Sequence, residues 1–475
     1  MSPRCGNINR VSTPGPLSAA VAQACRGIRP QLSPPGAEAV DQLLHQLAQP
    51  LRVAVVGRVS SGKSTLVNAL IGRRVAATDV GECTRLPTRY GYGAPERTEV
   101  VLTDGSRRVL SPGSEDYTGA NHLETYLANE VLRDMIVVDT PGLGAVGAEQ
   151  DPVSRTAIAG AEAVIYVLTQ LVRQDDQDAL SAFTAATDGR PAGPVNAVAV
   201  LNKADTIPAD SVPGSGGDQR SAARLLAQRQ RLALGPRVTE VVPLIGLLAE
   251  TTETGMFTAA DVDALRRLAA VPPADRDTML LAADLLLGWE CDLPVPDRER
   301  LLELLDLHGI RLAVDSLVDN PQCTVGDLRR ILAEASGFGE LRARLTEGLW
   351  SRSDAIKAAA ALDALAAIPE QQHLIWDTIE LLLARPEAHQ LRMMEILTLI
   401  ASGGVDMPAD LLDEVVRLGM NADPPTGSRE QQAAYALERA GWWRSYSAFG
   451  AGPVQSRIAH VAHRAYFLRW QGLTR

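Results

Sequence analysis

The run Gly57-Arg58-Val59-Ser60-Ser61-Gly62-Lys63-Ser64-Thr65, directly behind the apolar stretch Leu51 to Val56, constrains this chain more than any other feature. It is the pattern G-x-x-x-x-G-K-[ST] between a strand and a helix that carries Leu66, Ala69 and Leu70. In that setting the glycines let backbone N–H groups curl around phosphate oxygens. Lys63 is then placed to reach β- and γ-phosphates and the Ser64 hydroxyl to ligate Mg²⁺, with Gly57, Ser60, Ser61, Gly62 and Thr65 completing the phosphate-binding set. A glycine turn with an incidental lysine is the competing reading, and two further motifs weigh against it.

Met135-Ile136-Val137-Val138-Asp139-Thr140-Pro141-Gly142 is a buried strand ending in D-T-P-G. There Asp139 can hold Mg²⁺ through water and the Gly142 amide can sense a γ-phosphate. Val198 to Leu201 closes on Asn202-Lys203-Ala204-Asp205, and the Asp205 carboxylate can accept hydrogen bonds from N1 and N2 of guanine. Adenine lacks both donors and would leave the carboxylate unpaired, so the expected base is guanine. Val241 to Gly246 follows the next strand, and the backbone amides of Ile245 and Gly246 are expected to close over the base. All the motifs fall at the carboxyl ends of strands, where doubly wound sheets bind ligands.

Short β-branched runs at 51 to 56, 134 to 138, 163 to 168, 195 to 201 and 238 to 242 alternate with helical segments, the rhythm of a mainly parallel sheet. Asp104-Gly105 predicts an antiparallel hairpin over Thr98 to Leu110. Past about 270 the strand signal ends and Leu, Ala, Arg and Glu recur at helical spacing, without a repeat that holds through three copies. The expected fold class is therefore an α/β P-loop GTPase domain, mainly parallel with an added antiparallel hairpin, followed by an all-helical bundle or stalk. Residues 1–35, with Pro14, Pro16, Pro30, Pro34 and Pro35, read as a mobile arm, and 36–50 as a helix leading into the GTPase domain or joining a neck bundle.

Composition narrows the function classes. With 46% hydrophobic, 22% charged and 4% aromatic residues, the chain suits a Leu- and Ala-rich globular protein. A formal charge of -11 opposes general affinity for nucleic acid, so no nucleic-acid partner is expected. Cys5, Cys25, Cys83, Cys291 and Cys323 show no metal or disulfide spacing, which suits a reducing cytoplasm. No stretch approaches the ~20 apolar residues that span a bilayer. Membrane contact, if any, is expected to be peripheral, at the inner face of the cell membrane.

Lys63 and Asp139 lie 76 positions apart (139 minus 63), room for the hairpin and an enlarged switch. Within it Gly81-Glu82-Cys83-Thr84-Arg85-Leu86-Pro87-Thr88 resembles the switch I of dynamin-like GTPases, and the P-loop with Ser60 and Ser61 is similar to theirs. Gly57 to Gly72 and Ser336-Gly337-Phe338-Gly339-Glu340-Leu341-Arg342 resemble the actinobacterial members of that group, the isoniazid-inducible dynamin-like proteins of mycobacteria. The resemblance implies that Thr84, with Thr88 as the alternative, is a Mg²⁺ ligand beside Ser64 and Asp139. It implies that Lys63, Ser60 and Thr84 form the catalytic set, and that Ser60 offsets charge between the phosphates. Val59 stands where dynamins commonly carry glutamine, which leaves the positioning of the attacking water open.

The resemblance further implies a GTPase domain over 51–348 with a helical insertion at about 270–335, and a neck or stalk over 349–475. It implies GTP as substrate, Mg²⁺ as cofactor, self-association through GTPase domains, a second dynamin-like protein as a further candidate partner, and membrane remodelling. The alternative class is a GTP-dependent binding module or scaffold, either associated with RNA or ribosomes or serving as the weakly active partner of another dynamin-like protein. Residues 441 to 475 mix five arginines with Trp, Tyr and Phe and no acidic residue, so they read either as an interfacial helix or as a last bundle helix. Ala355 to Ile368 reads as a core helix rather than a membrane insert.

Overall fold

The structure is a computed structural model that describes residues 15–76, 86–111, 116–141, 160–169, 196–234, 238–385, 388–401, 405–419, 427–448 and 452–474. Its N-terminal part is organised by β1 (Leu51–Gly57), whose residues from Val53 to Gly57 are all buried. Strands this apolar need cover on both faces, which a parallel sheet between helices supplies. β1 lies between β6 (Met135–Asp139) and β7 (Ala163–Leu168), and β7 continues to β8 (Ala197–Leu201) and β9 (Val241–Pro243), every pair parallel. On the other side β2 (Thr88–Tyr92) runs antiparallel to β6 and parallel to β5 (Ala120–Leu127). β3 (Arg97–Leu102) and β4 (Arg107–Val109) form the expected hairpin at that edge, giving the order β4-β3-β5-β2-β6-β1-β7-β8-β9.

β2 and β5 were not anticipated, because their alternate residues are charged or polar rather than apolar. Those residues form an ion network: Glu124 accepts from Arg107 (2.6 Å) and the Tyr126 hydroxyl (2.7 Å), with His122 at 3.3 Å and Arg89 at 3.5 Å. Burial pushes the Glu124 carboxyl up, but hydrogen bonds from His122 and Tyr126 and the charge of Arg107 outweigh it and bring it down to about 2.

The expected mobile arm is corrected where it is described. α1 (Pro16–Ile28) is a helix that begins at a proline in its first turn, a position where no N–H is needed. Its buried face, with Leu17, Val21, Cys25 and Ile28, packs on α2 (Pro34–Ala48) and on helices from far down the chain. Prolines that read as breakers are in fact starters, at Pro16 and again at Pro34, where Ser33 caps α2 by accepting from the Gly36 amide at 3.4 Å.

Among the described residues, α3 (Lys63–Ile71), α4 (Gln219–Leu234) and α5 (Gly246–Glu253) follow sheet strands in the chain and cover the sheet. α6 (Ala259–Ala269), α7 (Pro273–Met279), α8 (Ala283–Gly288), α9 (Val295–Asp319) and α10 (Val325–Ser336) enclose a separate core of Leu265, Leu301, Ile310, Leu328 and Leu332 with Leu248 of α5. This helical block starts before 270, since α6 shares its core. α9 is broken at Asp306, whose φ of 53° is non-helical.

α11 (Phe338–Gly348) returns to the sheet's core through Phe338, Leu341 and Leu345. α12 (Ser353–Ala366) buries Ala355, Ile356, Ala359, Leu362 and Leu365 against the same core, which settles it as a core helix. α13 (Gln372–Leu383) continues that layer. α14 (His389–Ala401), α15 (Ala409–Gly419), α16 (Arg429–Ala448) and α17 (Pro453–Thr474) gather around Trp443, Ile458, Val461 and Tyr466. Residues 441 to 475, where described, are thus bundle helices. In their midst Glu414 accepts from Nε and Nη2 of Arg439 (2.8 and 2.5 Å), the Tyr466 hydroxyl (2.7 Å) and the Trp443 indole N–H (3.1 Å). No helix among the described residues is long and apolar enough to cross a membrane.

Candidate functional site

The site forms at the carboxyl ends of β1, β6 and β8, where three chain reversals meet. After Gly57 the chain turns through Ser60, at φ 60°, and Gly62, at φ 90°, into α3. Gly62 cannot be replaced without cost, because a β-carbon there would lie 2.1 Å from the Asn202 amide nitrogen in a backbone region that favours glycine. Lys63 opens α3 with its side chain folded back into the loop, where its amine donates to the Arg58 carbonyl at 2.7 Å. Lys63 is only 7% exposed, and an ammonium folded into a loop that opens a helix is arranged for an anion.

Asp139 closes β6 opposite Val55 and is 1% exposed. The Ser64 hydroxyl donates to its Oδ2 at 3.4 Å, while its Oδ1 is buried with no hydrogen-bond partner. Burial pushes the carboxyl up to about 6, against the nearby Lys63 charge and the Ser64 hydrogen bond. An orphaned carboxylate oxygen next to a hydroxyl is a donor pair that fits a hard divalent cation. No group of three His, Cys, Asp or Glu side chains stands ready for a metal among the described residues.

Asn202 ties the third reversal to the first. Its amide donates to the Ser61 carbonyl at 2.8 Å, and its carbonyl accepts from the Gly246 N–H at 2.9 Å. Lys203 is exposed at φ 58°. Asp205 is half-buried, its backbone carbonyl held by the Gln219 amide. Burial moves its carboxyl up, His308 and Lys203 oppose that, and Asp306 adds to it. A cavity of about 370 Å³ opens beside Asp205, framed by Gln219, Ile245, His308 and Ser336.

The role expected for two backbone amides is corrected. The Ile245 N–H donates to the Ser336 carbonyl (2.8 Å) and the Gly246 N–H to Asn202, so both are spent on holding the loop rather than offered to a base. This contact also explains the Ser336-Gly337 motif: Gly337, at φ 78°, joins α10 to α11 so close to β9 that a β-carbon would meet the Pro243 carbonyl at 2.7 Å.

Thr84 and Gly142 lie outside the described residues. Thr88 sits in β2 directly across from Asp139, with its hydroxyl on the Leu86 carbonyl at 3.4 Å. Sequence reasoning missed Asn68. Its side-chain carbonyl accepts from the Val75 and Ala76 amides (2.8 Å each), and its amide reaches the Ala76 carbonyl (3.0 Å) and Glu250 (2.7 Å), fixing the start of the segment that leads to Thr84. An asparagine facing inward from α3, five positions after Lys63, was the available signal. His308, about a hundred positions from Asp205, gave none.

A glycine-lysine loop, a buried Asp at the end of the neighbouring strand and an Asn-Lys-x-Asp strand end define a P-loop GTPase domain. The model of the family described as 50S ribosome-binding GTPase matches residues 52–203. The chain is 29% identical over 461 residues to the isoniazid-induced protein IniC of Mycobacterium tuberculosis, spanning 90% of this chain and 91% of that one. It is 30% identical over 112 residues to dynamin-like protein 2 of Campylobacter jejuni, 22% of this chain and 18% of that one. A solved oligomerised bacterial dynamin pair aligns with 98% of this chain and 92% of its own at 12% identity and a TM-score of 0.34, too loose to transfer an arrangement. The chain is similar to IniC along nearly its whole length and, over shorter stretches, to bacterial dynamin-like proteins.

Proposed function

We propose that this chain binds GTP with Mg²⁺ and hydrolyses it, and that nucleotide-dependent pairing of two GTPase domains drives its action on membrane. The observation that supports this reading most is the under-partnered Asp139 carboxylate beside Ser64 and Lys63, a buried charge that a bound cation would neutralise. In this reading Lys63 binds the β- and γ-phosphates and stabilises the charge that shifts between them. Ser60 and the Ser61, Ser64 and Thr65 amides surround the same oxygens. Ser64, Thr84 and Asp139 hold the cation, Asp139 through water, and the cation supplies charge neutralisation on the phosphates.

Gly142 reads the γ-phosphate, Asp205 reads guanine, and Asn202 and Lys203 position the base. Catalysis is then mainly orientation and charge stabilisation, and Val59 in place of a glutamine predicts slow turnover by an isolated copy. Pairing with a second copy, or with a second dynamin-like protein, would supply what the isolated site lacks.

The test is specific GTPase activity over a range of protein concentrations, with and without anionic vesicles, with Lys63→Ala as blank. Specific activity that climbs with concentration is the expected result. Low activity that stays flat with concentration and lipid would overturn the pairing and membrane parts and leave a GTP-dependent binding module, in line with the description of the matched family.

A further inference from the structure

Among the described residues, a second place in the molecule, in the C-terminal helices, concentrates basic side chains. Between the end of α13 and the outer face of α17 lies a cavity of about 70 Å³ whose lining carries Arg385, His389, Arg392, His460 and Arg464. No carboxylate lines it among the described residues. The Arg392 and Arg464 guanidiniums repel one another across this lining with no carboxylate between them among the described residues, so their convergence favours an anion there.

His389 sharpens the point. It is only 8% exposed, and neither ring nitrogen has a hydrogen-bond partner. Buried polar nitrogens are normally paired, and water cannot serve groups so withdrawn unless it enters the cavity they face. Arg392 spends its Nε on the Leu383 carbonyl at 3.0 Å, which holds the guanidinium in place. The available space is about twice the ~30 Å³ share of a water molecule, enough for one small oxyanion. Arginine forks match the oxygens of a phosphate in pairs, and a histidine donates to one as well.

We propose that this cavity binds a phosphate group, either as the free ion or as the headgroup of an anionic phospholipid. The lipid source has one structural feature in its favour. Phe467 and Leu468, one turn beyond Arg464 on α17, are 37% and 39% exposed, so apolar surface adjoins the cationic mouth. Electrostatics supply a direct readout. Burial, with Arg464, Arg392 and His460 nearby, pushes His389 down to about 4, and a bound oxyanion reverses the field and raises it. The site stands apart from the GTP reading and does not depend on it.

The test uses the full chain with ¹³C-labelled histidine, His389 being assigned through His389→Gln. Inorganic phosphate is titrated in at constant ionic strength held with chloride. A phosphate response lost in Lys63→Ala belongs to the Gly57–Thr65 loop; one retained in Lys63→Ala but lost in Arg392→Gln/Arg464→Gln belongs here. The expected result is a shifted His389 resonance with a raised titration midpoint, and a binding curve weakened about tenfold or more by the double substitution. The single Arg464→Gln, on the half-buried rim, serves if the double variant melts early. In a second arm, vesicles of phosphatidylcholine with and without phosphatidylglycerol are sedimented with the same proteins. Loss of phosphatidylglycerol-dependent binding in Arg464→Gln assigns the phosphate to a lipid, and unchanged vesicle binding with an intact phosphate response assigns it to the free ion. No His389 response to phosphate, together with vesicle binding that the substitutions leave alone, overturns the proposal.

Discussion

Asp139 and Glu414 are both carboxylates withdrawn from solvent, one at the end of β6 and one on α15, and the protein surrounds them in opposite ways. Glu414 has its oxygens filled by an arginine fork, a phenol and an indole, and despite burial these partners hold its carboxyl below the usual range. Asp139 has a long hydrogen bond from Ser64, a contact from the Thr140 backbone, one oxygen without a hydrogen-bond partner and a carboxyl raised to about 6. Glu414 is completed by the fold, whereas the shell of Asp139 is left with an oxygen that a further partner could take.

That contrast can be broken by experiment. The largest effect is expected from Glu414→Ala, which strands the Arg439 guanidinium and should lower the unfolding free energy by about 3 kcal/mol in chemical denaturation. A loss below about 1 kcal/mol would mean the cluster is not structural. Lys63→Ala is expected to do the reverse, leaving stability nearly unchanged while phosphate release from GTP falls by about 100-fold or more. Asp205→Ala should weaken GTP by about 100-fold while any weak ATP binding stays the same, measured by competition against a fluorescent nucleotide. Equal losses for both nucleotides would remove Asp205 from base reading.

Asp139→Asn sharpens the comparison most directly. A carboxyl whose folded value lies above its unfolded one makes the native state bind more protons, so stability falls as pH rises from about 3.8 to about 6. The nucleotide-free variant should therefore match the parent near pH 4 and exceed it by about 2 kcal/mol at pH 7. A destabilised variant at pH 7 would show that Asp139 is satisfied by the fold after all. Glu124 runs the other way: its lowered carboxyl contributes stability above about 4.5 that disappears as pH falls toward about 2. Glu124→Gln should cost about 1 kcal/mol at pH 7 and nothing at pH 2, read from urea midpoints across pH.

Much of the geometry at the carboxyl ends of β1, β6 and β8 could be read from the chain, because each motif is a short strand followed at once by the turn that needs its glycine or its Asp. Lys63, Asp139 and Asn202 are positioned by neighbours within a few residues, and strand order brings them together. What could not be read depends on partners remote in sequence. The α1 helix looked like a proline-rich arm because its apolar face answers to residues beyond 350. β5 looked irregular because Glu124 is kept by Arg107 and Arg89 rather than by apolar packing. The amides of Ile245 and Gly246 looked available because nothing near them in sequence announces Ser336 or Asn202 as their acceptors.

The docking of α1 also sets an order of events during synthesis. The Leu17 and Ser18 amides donate to the two oxygens of Asp354, at 2.8 and 2.9 Å, across separations of 337 and 336 residues. At about 5–20 residues per second a ribosome needs roughly twenty to seventy seconds to make the partner of a helix that has already emerged. Throughout that interval Leu17, Val21 and Ile28 have no surface from α12 to settle on. A helix made early therefore waits for the part of its packing surface that α12 supplies, and a chaperone that greets nascent chains would meet its apolar face through that interval.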